Sequence, residues 1–383
     1  MPNPDGIHAM LPYERMSKPA QRLRDVYNIT PNAPLIMREF GYYALDRWYG
    51  EGLPRDVDLH THFRLDPPGN LTLYGLGWCE AGFAPEFKTV VLEDRGEYEL
   101  EQDFAGRKVL YFKGRRNGFM PEYVDHPVKD MDTWNTLCKW RMNPETPSRW
   151  VDFEARMQTA QAAAREGKII AQGLVGGYMY LRSLMGPEDL LYKFHDDPEL
   201  IHACMQQWFD LADYVITRHQ QYVTLDEVFI GEDICYNHGP LISPDMIRTF
   251  LFPYYSKLLH NVKARQLDPD RKLHFQLDTD GLCMPVIDLY KEIGMTILSP
   301  FEVASGCDVV KIGQQYPDLV MFGGIDKRML SKPGPEMEAY IRSVLEPMKA
   351  RGGYIPTCDH GVPEEVSLAQ FLHYRDIMRE YGY

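Results

Sequence analysis

Residues 272–300, KLHFQLDTDGLCMPVIDLYKEIGMTILSP, decide the fold. A short apolar run from Lys272 to Leu277 ends on an acidic turn, Asp278-Thr279-Asp280-Gly281. Met284 to Ile293 then places Ile287, Tyr290 and Ile293 on one helical face and stops at Gly294. A second apolar run follows directly, from Gly294 to Pro300. Alternating strand and helix of this kind implies a parallel sheet with helical crossovers.

The same unit recurs on both sides. Asp152 to Gly167 reads as a helix rich in Ala, Gln and Arg, closed by glycine, and Lys168 to Val175 as the strand after it. Further strands are expected at Asp226 to Asp233, Leu319 to Gly323 and Gly353 to Thr357, with helices at Val309 to Tyr316 and Glu336 to Met348. The strands run into chemically loaded turns: Gly231-Glu232-Asp233, Asp278-Thr279-Asp280, Phe301-Glu302, Gly324-Ile325-Asp326 and Cys358-Asp359-His360. A closed barrel gathers all such turns around one mouth, whereas an open sheet scatters them. No Gly-x-Gly-x-x-Gly follows a first strand. The expected fold is a single α/β (β/α)8 barrel of the TIM type.

The first 150 residues are less regular. Pro34 to Glu39 reads as the first barrel strand, and Asp56 to Tyr74, Phe87 to Glu99 and Arg107 to Lys113 as irregular strands or a β-rich insertion. Residues 1–33 are read as an N-terminal extension and 34–383 as one decorated barrel domain. A net charge of −14 opposes nucleic acid or an anionic membrane as main partner. Seven cysteines, an odd number without paired spacing, read as reduced thiols in a cytoplasm. No signal peptide and no membrane-spanning stretch is expected.

Asp278 and Asp280, two residues apart at a strand end, can point the same way and chelate. With Cys358 and His360 on the turn after the last strand, they offer oxygen, sulfur and imidazole, a set that can hold zinc with an open position. The competing role for the two acids is to cap the helix that follows. Glu232 beside Asp233 is read as ligand, acid or base at the mouth, with pairing to an arginine as the alternative. Arg38, at the end of the first strand, is read as a bidentate anchor for a substrate carboxylate. Cys283 and Cys307 read as buried core thiols. His60-Thr61-His62 has the form of a metal-binding first-strand motif, but Arg55, Arg64 and Pro67-Pro68 are not the flanks of a buried strand.

Met37-Arg38-Glu39-Phe40-Gly41-Tyr42-Tyr43 resembles the Met-Arg-Gln-Ala-Gly-Arg-Tyr signature of uroporphyrinogen decarboxylases, and Asp359-His360-Gly361-Val362-Pro363 their late Gly-His-Gly turn. Gly239-Pro240-Leu241-Ile242-Ser243-Pro244, Phe252-Pro253-Tyr254-Tyr255 and Gly323-Gly324-Ile325-Asp326 are similar to the wider superfamily. The resemblance covers residues 34–383 and implies the same barrel. Tyr42 stands where the decarboxylase has its second signature arginine, and no Phe-Ser-Asp follows Arg38. The chain therefore looks closer to the superfamily's corrinoid-dependent zinc methyltransferases. Their His-x-Cys-Gly motif aligns on Asp278, Asp280 and Gly281, and their final cysteine on Cys358.

That resemblance implies a zinc-dependent methyltransferase that takes a methyl group from a small methoxylated or methylamine-type substrate and passes it to a separate corrinoid protein. Asp278, Asp280 and Cys358 would be the metal ligands, Glu232 a substitute ligand or proton carrier, His360 the donor to the leaving group, and Arg38 the substrate anchor. Oxygen ligands leave a stronger Lewis acid than two thiolates do. No corrinoid-binding Asp-x-His-x-x-Gly segment is present, so the corrinoid is expected on a partner. The alternative is a metal-independent decarboxylase or lyase built on Arg38 and His360. A binder without catalysis is the third reading, opposed by the density of acids and histidine at strand ends. A homodimer is expected from family resemblance and base rates.

Overall fold

The β-branched runs of the second half each pair in parallel with the next. In the computed structural model, which describes residues 7–114 and 120–382, the strands in chain order begin with β1 (Asn70–Leu76). Four strands of the insertion follow: β2 (Val90–Arg95), β3 (Tyr98–Gln102), β4 (Lys108–Phe112) and β5 (Glu122–Asp125). Next come β6 (Ile169–Val175), β7 (Glu227–Gly231) and a two-residue pair, β8 (Cys235–Tyr236) and β9 (Gly239–Pro240). The chain continues through β10 (His274–Asp278), β11 (Ile297–Ser299), β12 (Val320–Phe322) and β13 (Tyr354–Ile355). Seven of them form one parallel sheet in the order β1, β6, β7, β10, β11, β12, β13. Helices Phe153–Arg165, Met284–Lys291, Val309–Gln315 and Gly334–Arg351 lie where the periodicity predicts them.

Pro34 to Glu39 is extended but forms no strand. Its run Leu35-Ile36-Met37 is buried like a strand, yet it spans the gap between the sheet's two edges by isolated bonds. Asp66 N donates to Met37 O at 2.8 Å toward β1, and Tyr42 pairs in parallel with Val362 beyond β13. The curled sheet, with this segment in the eighth position, has the form of a TIM-type barrel. Asn70–Leu76, expected in an irregular region, is a full barrel strand in register with β6. The real insertion lies in residues 90–114 and 120–125, whose strands form an antiparallel sheet in the order β2, β3, β4, β5.

Strand parity sorts side chains. On β7 and β10, Val228, Ile230, Phe275 and Leu277 join the large core under the helices, so Glu227, Phe229, Gly231, His274, Gln276 and Asp278 face the lumen. A second, smaller core unites Ile36, Ile169, Ile297, Val320 and Ile355 with Leu23, Val26 and Tyr27. The last three belong to helix α1 (Lys18–Tyr27). The described part of the expected N-terminal extension therefore packs against the barrel floor, while residues 1–6 lie outside the described residues. Burying each such side chain contributes about 1.5–3 kcal/mol.

The Tyr27 hydroxyl donates to the buried carboxyl of Glu227. Tyr27→Phe leaves that carboxyl unpaired and is expected to cost about 1–3 kcal/mol, read as a lower urea midpoint at unchanged slope.

Candidate active site at the barrel mouth

The C-terminal ends of the strands deliver the acids. Asp278 ends β10 in register with Gly231 on one side and Ser299 on the other, and Ser299 Oγ donates to its carboxylate. Asp278 is closely surrounded by protein yet still touched by solvent, the condition of a group lining a concave site. Asp280, of the same parity and 43% exposed, lies 4.0 Å from His360 Nε2. Neither acid caps the next helix, which starts at Met284 with no side-chain cap bond. Sequence alone left that choice open.

His360 is held from the segment in the eighth barrel position. Tyr43 Oη lies 3.0 Å from its Nδ1, and the Phe40 ring centroid is 4.8 Å from the imidazole. Glu302 accepts from Gly281 N at 3.0 Å. Lys327 Nζ lies 3.8 Å from Glu302 and 3.7 Å from Asp359. The turn that brings Lys327 here requires Gly323, because a Cβ at that position, where φ is +101°, would lie 2.0 Å from the Pro300 carbonyl oxygen. Arg182 closes the other side with a 2.6 Å bond to Asp233.

Burial, reinforced by the charge of Asp233, pushes Asp278 up to about 6. Burial together with Asp233, Glu302 and Asp278 pushes Asp280 up to about 7. Burial lowers His360, and Lys327 lowers it further, so the imidazole is held toward its neutral form. A carboxyl whose folded pKa is raised contributes stability that is full below its ordinary value, about 4, and lost as pH climbs through the folded value. The two acids therefore destabilise the protein increasingly between pH 4 and 7. Asp280→Asn, which cannot ionise, is expected to shrink the fall in melting temperature between pH 5 and pH 8. An equal fall in both proteins would contradict the assignment.

Two residues read as site groups point elsewhere. Glu232 has the opposite parity to Gly231 and is wholly buried behind the sheet. Its Oε1 accepts from Tyr178 N at 2.9 Å, at the start of helix Gly177–Met185, and its other oxygen accepts from Tyr255 Oη. Burial pushes it up to about 7, but it braces a helix and faces no lumen. Cys358 is also fully buried. Its thiol faces Glu39, whose carboxylate also accepts from Cys358 N at 2.8 Å. Asp278, Asp280 and Cys358 are thus not brought together, and among the described residues no three His, Cys, Asp or Glu are arranged to hold a metal. The zinc set read from sequence does not fit.

Arg38 lies deeper than the acids, between Ile36 in the floor and Phe40 at the mouth. It donates to Asn70 Oδ1 at 3.2 Å. Burial lowers it, while Tyr27, Glu227 and Asp66 favour its charge. His60 and His62 sit on a short surface helix, Leu59–His62, where Asp58 accepts from Thr61 N and His60 lies 3.1 Å from Asp66 O. Lys327, Phe40, Tyr43, Trp78 and Phe229 were not singled out from sequence. Lys327 directly follows the Gly323-Gly324-Ile325-Asp326 turn and was legible there. The aromatics carry no spacing signal that separates them from core.

No helix is long and apolar enough to cross a membrane among the described residues. No curated protein matches the sequence. Among solved structures the chain is similar to a methyltransferase from Methanosarcina mazei, with 13% identity, a TM-score of 0.56, and coverage of 95% of this chain and 98% of that one. A xylanase B from Clostridium stercorarium F9 is more distant, with 13% identity and a TM-score of 0.31 over 55% of this chain and 72% of that one. At such identities the first likeness speaks for the fold alone and the second carries no argument. The family model described as "Uroporphyrinogen decarboxylase (URO-D)" matches residues 123–381. That match spans most of the chain and takes in β6 to β13 together with Asp278, Asp280, Lys327 and His360, so the protein belongs to the uroporphyrinogen decarboxylase family.

Proposed function

We propose that the protein is a methyltransferase of this family, which removes a methyl group from a small methoxylated or methylated substrate at the barrel mouth. The observation that carries the reading is the pair Asp278 and Asp280 beside His360, 4.0 Å from Asp280, at a mouth whose cations are already engaged with acids. A tetrapyrrole with many carboxylates needs free arginines there. Demethylation instead needs a proton for the leaving heteroatom. A carboxyl held near 7 is well matched to deliver it at neutral pH.

Asp280 holds that proton toward the lumen, Asp278 raises its affinity by like charge, and neutral His360 accepts or returns it. Phe40 and Tyr43 fix the imidazole by ring contact and hydrogen bond. The methyl acceptor on this reading is a reduced corrinoid on a separate protein, which supplies the nucleophile. No step is assigned to a metal, because the ligand set does not converge.

The test is transfer of labelled methyl from a panel of methyl ethers and methylamines to reduced cobalamin by the purified chain, run beside zinc analysis of protein prepared without chelator. Transfer in metal-free protein supports the acid–base reading, and strict dependence on about one zinc per chain contradicts it. The second reading, a cofactor-free decarboxylase or lyase, rests on the family match and on Arg38 in the lumen. Carbon dioxide release from a carboxylated substrate, abolished in Arg38→Met, would favour it.

A further inference from the structure

Beside Asp278 the neighbouring strand puts no side chain into the lumen. Gly231, in register with Asp278 on the neighbouring strand, has no side chain, and a Cβ there would stand 3.6 Å from both the Phe229 ring and the Trp78 carbonyl oxygen. The space is walled by aromatic surface. Phe229 stacks on Trp78 with ring centroids 5.5 Å apart and planes within 4°, and Trp78 is 57% exposed. Across the mouth, Phe40 is 46% and Tyr43 49% exposed, both packed on His360.

The electrostatics of this mouth are unbalanced. Arg182 is bonded to Asp233, and Lys327 sits between Glu302 and Asp359. Among the described residues, neither Asp278 nor Asp280 forms an ion pair with a lysine or arginine. Their direct neighbours are a hydroxyl, Ser299, and an imidazole held toward neutrality, and Lys327 acts on Asp280 only through space, outweighed by Asp233, Glu302 and Asp278. Two carboxyl groups thus stand at a mouth bordered by exposed rings. A hydrated divalent ion asks for several convergent oxygens and gains nothing from ring faces, and a neutral methyl ether leaves the acids uncompensated. A cation whose charge is spread over methyl groups satisfies both features, because ring faces and carboxylates attract it together.

Resting on the methyl-transfer reading, we propose that the substrate is an organic cation, a methylated ammonium compound, seated between the Phe229–Trp78 wall and Asp278 and Asp280. Transfer then balances without an added oxidant or reductant. The bond between methyl carbon and nitrogen breaks with both electrons remaining on nitrogen, the electron pair of the reduced acceptor forms the new bond to carbon, and the lone pair freed on the amine takes the proton held on Asp280, while Asp278 carries the charge that faces the cation.

Binding can be tested without turnover. Calorimetric titration of the full chain at pH 8, without corrinoid, would compare choline, tetramethylammonium and trimethylammonium with 3,3-dimethylbutan-1-ol, the neutral isostere of choline. At least one cation is expected to bind about ten-fold or more tighter than the alcohol. Asp280→Asn and Trp78→Leu should each weaken that binding about five-fold or more, with unchanged circular dichroism. Magnesium chloride at the same ionic strength as sodium chloride should compete no better. Binding of no cation, equal binding of the alcohol, or specific displacement by magnesium overturns the proposal. The two readings fail separately. A methyl ether demethylated by a chain that ignores cations sinks the substrate class and keeps methyl transfer, while tight cation binding with no methyl reaching reduced cobalamin does the reverse.

Discussion

Asp280→Asn is expected to lower methyl transfer to reduced cobalamin by about 10²- to 10⁴-fold, the usual worth of a positioned proton donor. The substitution keeps the shape of the side chain and removes both its negative charge and its acidic proton. Because Asp280 is 43% exposed and repelled by Asp233, Glu302 and Asp278, losing its charge does not weaken the fold. The rate loss should therefore appear in protein at least as stable as wild type at pH 8. Wild-type transfer should also decline as pH rises above about 7, where the carboxyl gives up its proton. A loss under ten-fold, or a rate that climbs steadily through pH 8, would exclude Asp280 as the donor.

The largest stability effect is expected at Glu232. Glu232→Ala strips a wholly buried carboxyl from Tyr178 N and Tyr255 Oη, leaving two buried donors with no acceptor. Unmatched buried polar groups of this kind cost about 3–5 kcal/mol together, enough to lower the melting temperature by several degrees in a chain of this size. Glu232→Gln retains an acceptor oxygen and should recover much of the loss. If Glu232→Ala instead folds normally and loses only activity, the helix-bracing role is wrong and the residue faces the substrate after all.

Glu232 also shows where reading a sequence stops. Adjacent acids at a strand end point to opposite faces, so Glu232-Asp233 announces that one carboxyl faces the mouth and one the helices. Only the registration of Gly231 against Asp278 says which. The same parity separates Cys358 from Asp278 and Asp280, since Ile355 belongs to the floor and the thiol therefore turns outward to Glu39. The strands of the second half were legible because each is a short apolar run bounded by turn residues. Leu35-Ile36-Met37 has that composition without ladder partners. Asn70–Leu76 was obscured by Pro67-Pro68 before it and by the inserted sheet after it, neither of which reports on its pairing with β6. Alignment on a family motif placed Asp278, Asp280 and Cys358 at three matching positions, but matching positions did not guarantee a shared focus once two ligand types had changed.

Helix α1 has a bearing on the order of events. With Leu23, Val26 and Tyr27 packed into the floor, the way to Asp278 is the C-terminal mouth, and on the proposed methyl-transfer reading a protein-borne acceptor would use the same doorway as the small donor. On that reading the donor would be seated before the acceptor docks, and the demethylated product would leave after the acceptor withdraws. Excess acceptor protein should then inhibit by shutting out the donor, and raising the donor concentration should relieve that inhibition.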